Sequence, residues 1–283
     1  MTLEEVRIKI DAIDRELVRL LNERADLVNI VGQIKHAAGL EIYAPEREEK
    51  LLRKLVALNT DQKGKLPEKS IRAIYREIMS AALALERQLK IAYLGPPGSW
   101  SHQVAVGKFG HGVAYTARGT TDGVFACVNS QEADYGVLPI EQSAEGVVHH
   151  TLDQFVESPL QICAQIMTGS GEGSAHSRYI VLGRRASPAT GDDCTMLMLE
   201  APDQVGALLH ILQAFADQTV NVRQIQNRDI VHAPGGAARF FLEVSGHPDD
   251  ASLTAALADL RGQGTTVKVL GSYPASAWVE TVG

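Results

Sequence analysis

The stretch LEEVRIKIDAIDRELVRLLNERADLVNIVGQIKH, residues 3–36, predicts a single long amphipathic helix. Its apolar residues recur three and four positions apart, which places them on one face of an α-helix. Three cations interrupt that face: Arg7, Arg24 and Lys35. A charge on a packing face is costly unless a partner offsets it. One such side chain often extends to solvent or pairs with a glutamate, but three on one helix favour an anionic ligand.

The spacing of these cations indicates how they can be used. Arg24 and Lys35 lie on nearly the same line of the helix, about 16 Å apart at the backbone, so both could hold one small dianion. Arg7 is about 25 Å from Arg24 along the same axis, too far to reach that ligand within one chain. The spacing therefore predicts a two-fold homodimer in which each long helix contributes to two pockets.

The composition is typical of a globular protein with two or three domains. The chain has 283 residues, of which 45% are hydrophobic and 22% charged, with a formal net charge of −7. The acidic balance and the lack of basic blocks argue against a nucleic-acid partner. We see no apolar run long enough to cross a membrane and no signal peptide, so we expect no membrane partner and a cytoplasmic location.

The cysteines and histidines give no sign of a metal site. Cys127, Cys163 and Cys194 have neither a zinc nor a redox spacing, and the nine histidines show no ligand spacing. We therefore expect no metal, and we expect the three cysteines to be buried small hydrophobic residues.

Two further helices complete an all-helical segment. Gly39 ends the first helix, Pro45 begins a second that runs to about Leu58, and Pro67 opens a third that reaches about Gln88. Residues 1–89 are thus predicted to form an all-α, three-helix domain.

The runs VRIKIDAIDREL, LLNERADLVNIVGQIK, APEREEKLL and IYREIMSAALA resemble the helical chorismate mutase domain of bifunctional chorismate mutase–prephenate dehydratases. The spaced cations match as well as the apolar pattern. The resemblance implies a substrate site made of Arg7 from the partner chain, Arg24, Lys35, Arg47 and Glu48. The cations would surround the substrate carboxylates and ether oxygen, and the glutamate would accept a hydrogen bond from the ring hydroxyl. No cofactor is implied, because the reaction is an intramolecular rearrangement that needs only orientation and charge stabilisation.

Three positions differ from the usual bacterial pattern of that domain. Ala44 and Ala82 would line the substrate where relatives often carry polar side chains. Glu86 stands where the bacterial enzymes usually have a glutamine that donates a hydrogen bond to the ether oxygen. A carboxylate cannot donate, so Glu86 must be protonated to take that role. Burial would favour the neutral carboxyl and nearby cations would favour the carboxylate, and the sequence leaves both open.

From Lys90 onwards, strands and helices alternate, which predicts an α/β layer with parallel strands. The predicted strands are 91–94, 135–140 and 161–166, and the predicted helices start near Ser99 or Ser101, at 122 and at 147. The runs IAYLGPPGSWSHQVAV and ADYGVLPIEQSAEGVVHHTLDQFVES resemble the first lobe of prephenate dehydratase. The substrate-lining residues implied there are Ser99, Ser101, Glu141, Gln142 and Ser143.

The segment TGSGEGS, residues 168–174, has the composition of a flexible linker. Directly after it, SRYIVLG at 177–183 resembles the strand bearing the dehydratase's Thr-Arg-Phe motif, with Ser177 in the catalytic threonine position. In the family a second lobe lies between these points. Dehydration needs a cleft that excludes water, so residues 90–189 are predicted to be a reduced lobe with little or no dehydratase activity.

Residues 190–283 have the order strand, helix, two strands, helix, strand, which predicts an α+β ferredoxin-like fold. They resemble the ACT domain that binds phenylalanine in this family. The effector-binding candidates implied are Gly206, Ala207, Leu208 and Asn221. The second effector motif, Glu-Ser-Arg-Pro, is degraded to residues 226–229, Gln-Asn-Arg-Asp, which predicts weakened phenylalanine binding.

These observations leave three hypotheses for the function of the protein. The leading hypothesis is a dimeric chorismate mutase fused to an inactive dehydratase lobe and an ACT module. The second is a fully bifunctional enzyme that makes phenylpyruvate under phenylalanine feedback. The third is a regulatory amino-acid-binding protein with a vestigial mutase, against which the retained cations on a packing face argue.

Overall fold

The computed structural model describes residues 1–39, 43–142, 146–169, 177–229 and 237–275. Within these ranges the chain forms two compact units. The first comprises Met1–Ala44, Leu55–Leu89 and Phe109–Ala114, and the second holds the rest of the described chain. The domain boundaries predicted at residues 89 and 189 stay predictions.

The three helices expected at the N-terminus are present. They are α1 (Leu3–Ala37), α2 (Pro45–Asp61) and α3 (Glu68–Glu86). A capping box between Thr2 and Glu5 starts α1, and Pro45 occupies the first turn of α2. In the first unit, α1 packs against α3, and the part of α2 from Leu55 onwards belongs to the same unit.

The apolar face of α1 is not covered within one chain. No residue of this helix is buried, and Ile13 and Leu27 are each 60% exposed. A long helix with an uncovered apolar face needs another surface to pack against, because exposed apolar area is costly in water.

The second unit is organised around one mixed sheet, to which ten strands belong among the described residues. The strands are β1 (Lys90–Leu94), β2 (Ala114–Arg118), β3 (Tyr135–Gln142), β4 (Gly146–Val147), β5 (Gln161–Thr168), β6 (Ser177–Gly183), β7 (Asp193–Pro202), β8 (Val222–Asp229), β9 (Ala237–Ser245) and β10 (Thr266–Pro274). The helices are α4 (Trp100–Phe109), α5 (Thr121–Asn129), α6 (His149–Gln154), α7 (Ala207–Asp217) and α8 (Ala251–Gly262). The strand order is β2-β1-β3-β6-β5-β10-β7-β9-β8, with β4 paired to β3.

The three strands predicted as parallel in the α/β part, β1, β3 and β5, run in the same direction, and β6 lies between β3 and β5. β1 and β3 are parallel, but β6 runs antiparallel to both β3 and β5. Thr168 at the end of β5 pairs with Ser177 at the start of β6, so the connection is short. A short connection closes a hairpin, whereas a parallel crossover needs a dozen or more residues. Strand β2 was not predicted from the sequence. The helix predicted to start at residue 147 starts at His149 instead, because Gly146–Val147 forms strand β4.

The ferredoxin-like prediction is confirmed for the C-terminal part. Strands β10, β7, β9 and β8 pair antiparallel in that order, and α7 and α8 pack together on the sheet. The core between helices and sheet includes Leu197, Phe215, Leu242 and Leu257. This sheet joins the α/β part through Gly271 of β10, whose φ of +148° and close approach to the Ile162 backbone leave no room for a side chain.

Candidate active site

The cations of α1 differ in their surroundings. Arg24 and Lys35 are half-buried in the described chain, although the helix as a whole is exposed. Arg7 is exposed, with its side chain 64% accessible, and lies 4.0 Å from Glu4 on the same helix. The two cations expected to serve one ligand in one chain are therefore the two that are partly desolvated. Partial desolvation strengthens the attraction of a cation for an anion.

Glu86, at the end of α3, packs against α1 at Gly32. A Cβ atom on Gly32 would lie 2.9 Å from the Glu86 Cγ and 3.3 Å from its Oε2. The Oε2 atom itself is buried. Gly32 precedes Lys35 by about one helical turn, so the glutamate lies against the part of α1 that carries the expected cations. The missing side chain of Gly32 is the reason that a carboxyl group fits there.

The first turn of α2 carries the other expected side chains. Arg47 is exposed, and Glu48 is half-buried with its side chain 13% accessible. The Oε1 atom of Glu48 lies 3.3 Å from the Nζ atom of Lys108, in the last turn of α4. Both residues belong to the second compact unit, as does the start of α2.

The two alanines expected to line the substrate offer only backbone or apolar surface. Ala44 is the N-cap residue of α2 and makes no side-chain cap, and Ala82 of α3 is buried. Within the first unit, the described side chains provide two partly buried cations on α1 and one carboxyl group packed against the same helix. Groups of this kind can bind a dianion and stabilise developing charge on an oxygen.

A second group of polar side chains lies in the sheet of the second unit, around Arg178 of β6. Its guanidinium donates to Glu141 at 3.2 Å and to Gln165 at 2.8 Å. It also donates to Gln224 of β8 and to Glu243 of β9. We call these five side chains the Arg178 network.

The Arg178 network is largely buried, with Arg178 12% and Glu243 7% accessible at the side chain. Burial opposes the charge on Arg178, but Glu243 and Glu141 outweigh burial and raise the pKa of the guanidinium. The network borders a pocket with apolar walls that include Ile140, Leu152 and Phe241. Arg178 therefore holds two glutamates in place, and its two terminal nitrogens are already engaged by protein groups.

Three family models match consecutive parts of the chain. Chorismate mutase type II matches residues 6–87, prephenate dehydratase residues 91–169, and the ACT domain residues 195–262. The bifunctional chorismate mutase/prephenate dehydratase of Aquifex aeolicus is 30% identical over an alignment that covers 96% of this chain and 98% of the relative. The chain belongs to the bifunctional chorismate mutase/prephenate dehydratase family.

The dehydratase domain of this family member is partial. Its family model matches only up to residue 169, and the alignment with the Aquifex aeolicus protein is 354 positions long whereas the chain has 283 residues. A stretch of the relative therefore has no counterpart here. The structure places Thr168 in β5, so the expected linker begins after it, and residues 170–174 lie outside the described ranges.

Solved prephenate dehydratases share the fold of about two thirds of this chain. The crystal structure of prephenate dehydratase from Streptococcus mutans is 29% identical and aligns with a TM-score of 0.58, covering 66% of this chain and 98% of that chain. The prephenate dehydratase from Arthrobacter aurescens, solved in complex with L-Phe, has a TM-score of 0.58 over 66% of this chain and 90% of that chain. It is 20% identical, so it shows the fold alone.

The residues that the dehydratase resemblance implies as substrate-lining make separate contacts with different parts of the protein. The Ser99 hydroxyl accepts from the His102 N–H at the start of α4, and Ser101 is buried and hydrogen-bonded to Tyr179. Glu141 belongs to the Arg178 network. Ser177 lies directly opposite Gln142 across β3 and β6. Ser143 lies outside the described residues.

The effector-binding candidates lie at the start of α7 and just before β8. Gly206 has a φ of +89° and is the N-cap of α7, which begins at Ala207, and Leu208 is exposed. The carbonyl of Asn221 accepts a hydrogen bond from the Ser245 N–H at 2.9 Å. These positions stay candidates for effector contact.

In the degraded effector motif, Gln226 lines the pocket beside the Arg178 network. Arg228 forms a two-pronged ion pair with Asp153 of α6, at 3.0 and 2.6 Å. The arginine that remains in this motif thus ties β8 to α6.

The cysteines are buried and free, as predicted. Burial raises the pKa of Cys194 to about 11, so this thiol is protonated and unreactive at neutral pH. Among the residues that the structure describes, no cluster of histidine, cysteine and acidic side chains could hold a metal ion, and no helix is long and apolar enough to cross a membrane.

Three residues that contribute to these sites were not selected from the sequence: Gly32, Lys108 and Arg178. Gly32 had a usable signal, because glycine is unfavourable in a helix interior and usually has a packing reason there. Arg178 also had a signal, because it is the arginine of the run at 177–179 that resembles the Thr-Arg-Phe motif. Lys108 gave none, since its partner is distant in the chain. Only folding brings Lys108 to Glu48 and Arg178 to Glu243.

Proposed function

We propose that this enzyme converts chorismate to prephenate by an intramolecular Claisen rearrangement, in the biosynthesis of phenylalanine and related aromatic amino acids. The packing of Glu86 on Gly32 of α1, the helix that carries the partly buried Arg24 and Lys35, carries this proposal. The matched chorismate mutase family model and the bifunctional relatives support it.

The proposed mechanism uses the side chains as binding and charge-stabilising groups. Arg24, Lys35 and Arg47 bind the two carboxylates of the substrate and hold the substrate in its reactive diaxial conformer. Glu48 accepts a hydrogen bond from the ring hydroxyl. As the ether C–O bond breaks and the new C–C bond forms, negative charge develops on the ether oxygen. A protonated Glu86 and the Lys35 ammonium donate to this oxygen, and no proton is transferred.

The proposed mutase is a homodimer joined along α1. The apolar face of this helix is exposed in one chain, and Arg7 is about 25 Å along the helix from Arg24. A second copy would cover the face and bring its own Arg7 to the site of the first.

The direct test is the loss of chorismate absorbance on addition of the purified chain. Turnover that disappears in Arg24→Ala and persists in Arg19→Ala, an exposed arginine of the same helix, supports the proposal. No turnover above the uncatalysed rate in the wild-type chain would reject it.

We further infer that dehydratase activity is absent or very low. The partial match of the dehydratase model, the hairpin in which Thr168 pairs with Ser177, and a serine in place of the catalytic threonine support this inference. Eight residues separate Thr168 from Ser177, too few for a second lobe that would exclude water from the leaving hydroxyl. Phenylpyruvate formed from prephenate at a rate comparable to mutase turnover would contradict it and favour the bifunctional alternative.

The ACT module is proposed to have lost micromolar affinity for phenylalanine. A glutamine and an aspartate replace the glutamate and proline of the effector motif, and Arg228 is engaged by Asp153. Calorimetric titration with phenylalanine measures this directly. Micromolar binding would show that Gly206, Ala207, Leu208 and Asn221 still form an effector site.

A further inference from the structure

The side chain of Glu48 is buried more deeply than its place in the first turn of a helix requires. Its accessibility is 13%, close to the 12% of its neighbour Glu49, which pairs with Arg53. A carboxylate gains from the positive end of a helix dipole, but burying it is costly without a cation. The structure therefore has to provide a partner for Glu48.

That partner is Lys108, sixty residues further along the chain. Its side chain is 12% accessible, and its Nζ lies 3.3 Å from Oε1 of Glu48. Lys108 stands in the last turn of α4, where a cation is favoured by the helix dipole. The pair thus links the N-terminal end of α2 to the C-terminal end of α4, inside the dehydratase-like lobe.

The start of α2 has a second connection within the same compact unit. Arg53 lies 3.5 Å from Asp192, just before β7, and also pairs with Glu49 at 2.9 Å. Pro45–Lys54 group with the second compact unit rather than with the rest of α2. The turn that carries Arg47 and Glu48 is therefore held by the second unit.

The contact with Lys108 occupies only one oxygen of Glu48. Among the described residues Glu48 makes no other side-chain hydrogen bond or ion pair. A carboxylate with one oxygen fixed by an ammonium presents the second in a defined direction, as an acceptor for a hydroxyl.

We propose that Lys108 is a positioning residue of the mutase site, holding Glu48 in the rotamer that accepts the ring hydroxyl of the substrate. The proposal rests on the mutase function proposed above. It gives the reduced dehydratase lobe a role in the remaining reaction, because the lobe supplies the group that orients a substrate-binding side chain of α2.

A hydroxyl contact exists in both the bound substrate and the transition state, so its loss weakens binding more than it slows turnover. Lys108→Met and Lys108→Gln should therefore raise the KM for chorismate about tenfold while kcat stays within about twofold. A purely structural role would lower the fraction of active enzyme, and hence kcat, with KM unchanged. Circular dichroism melting of each variant reports whether it is folded.

Three control variants test whether Lys108 acts through Glu48. Lys108→Arg should restore a KM close to that of the wild type, because a guanidinium can still reach the carboxylate. Lys54→Met, at an exposed lysine of α2, should leave KM unchanged. In a Glu48→Gln background, Lys108→Met should raise KM no further, because the two residues act as one unit.

The results separate the two proposals. An inactive wild-type chain overturns the mutase function, and the role of Lys108 with it. An active wild type whose Lys108→Met and Lys108→Gln variants keep their KM overturns the role of Lys108 alone. A KM increase of equal size in the Glu48→Gln background also overturns it, because Lys108 would then act independently of Glu48.

Discussion

At the residue scale, the candidate mutase site depends on a close contact between a glycine and a carboxyl group. Gly32 stands inside α1, about one and a half turns before its end at Ala37, and glycine within a helix costs about 1 kcal/mol relative to alanine. Its lack of a side chain makes room for Glu86. The helix thus gives up some intrinsic stability at the position where a side chain from α3 must approach.

The variant Gly32→Ala separates stability from activity. Alanine favours the helix, but its Cβ would lie 2.9 Å from the Glu86 Cγ and force that side chain to move. We expect kcat/KM for chorismate to fall by about tenfold or more, because small displacements of a catalytic group are costly. Steady-state kinetics and helix content by circular dichroism measure the two effects.

The matched control is Gly262→Ala, at a helical glycine of α8 with no neighbouring atom in the way. It should leave the kinetics unchanged. Wild-type kinetics in Gly32→Ala would show that the Glu86 position is irrelevant to turnover.

The presence of Glu86 rather than glutamine predicts an unusual pH profile. Only the protonated carboxyl donates a hydrogen bond, so mutase kcat/KM should fall as pH rises from about 5 to about 8. Glu86→Gln, which donates at every pH, should flatten the profile. Glu68→Gln, at an exposed position on the same helix, should retain the wild-type profile. A wild type that shows no pH dependence would contradict the proposed donor role.

At the element scale, salt bridges join strands that come from different parts of the sequence. The Arg178 network connects β6 to β3, β5, β8 and β9. Lys268 of β10 adds a further tie, because its ammonium donates to three backbone carbonyls around the end of α6, including Phe155 at 2.7 Å. Burial lowers the pKa of Lys268. These contacts fix the ACT-like strands to the α/β part within the second unit.

Removing the central cation of the network should destabilise the fold. Arg178→Met leaves Glu243 buried without its cation, and breaking a buried pair in this way costs about 3 to 5 kcal/mol of unfolding free energy. Urea denaturation followed by circular dichroism measures the loss. Arg19→Met is the control, because its partners Glu16 and Glu23 are exposed and the denaturation midpoint should stay in place. Equal midpoints for both variants would show that the network adds no stability.

At the scale of the whole molecule, the proposed site needs two chains. The apolar face of α1 is uncovered in one chain, and Leu17 is 50% exposed. The geometry of a straight helix prevents Arg7 and Arg24 of one chain from serving the same small ligand. A two-fold dimer meets both requirements with one interface.

Complementation between inactive variants tests this arrangement. Arg7→Ala and Arg24→Ala should each be inactive alone. After mixing, unfolding and refolding, a heterodimer has one site in which both arginines are intact, so about a quarter of wild-type activity should return. Refolded single variants are the control. Absence of recovery, despite a dimeric mass by light scattering, would contradict a shared site.

The sequence by itself determined the local structure. The apolar period of α1, the proline at the start of α2 and the strand pattern of residues 177–183 predicted elements that the structure contains. These features depend on neighbours a few positions apart, so they can be read from the chain. The cations on the α1 face were found in the same way, because they interrupt a periodic pattern.

Only the tertiary structure decided which distant residues meet. It paired Lys108 with Glu48, gathered two glutamates around Arg178, and paired β5 with β6 in an antiparallel hairpin. Such contacts join residues tens of positions apart, and no local pattern encodes them. The long helix α1 shows both sides of this division: its amphipathic pattern is local, whereas Gly32 acquires its role only when α3 folds back and places Glu86 against it.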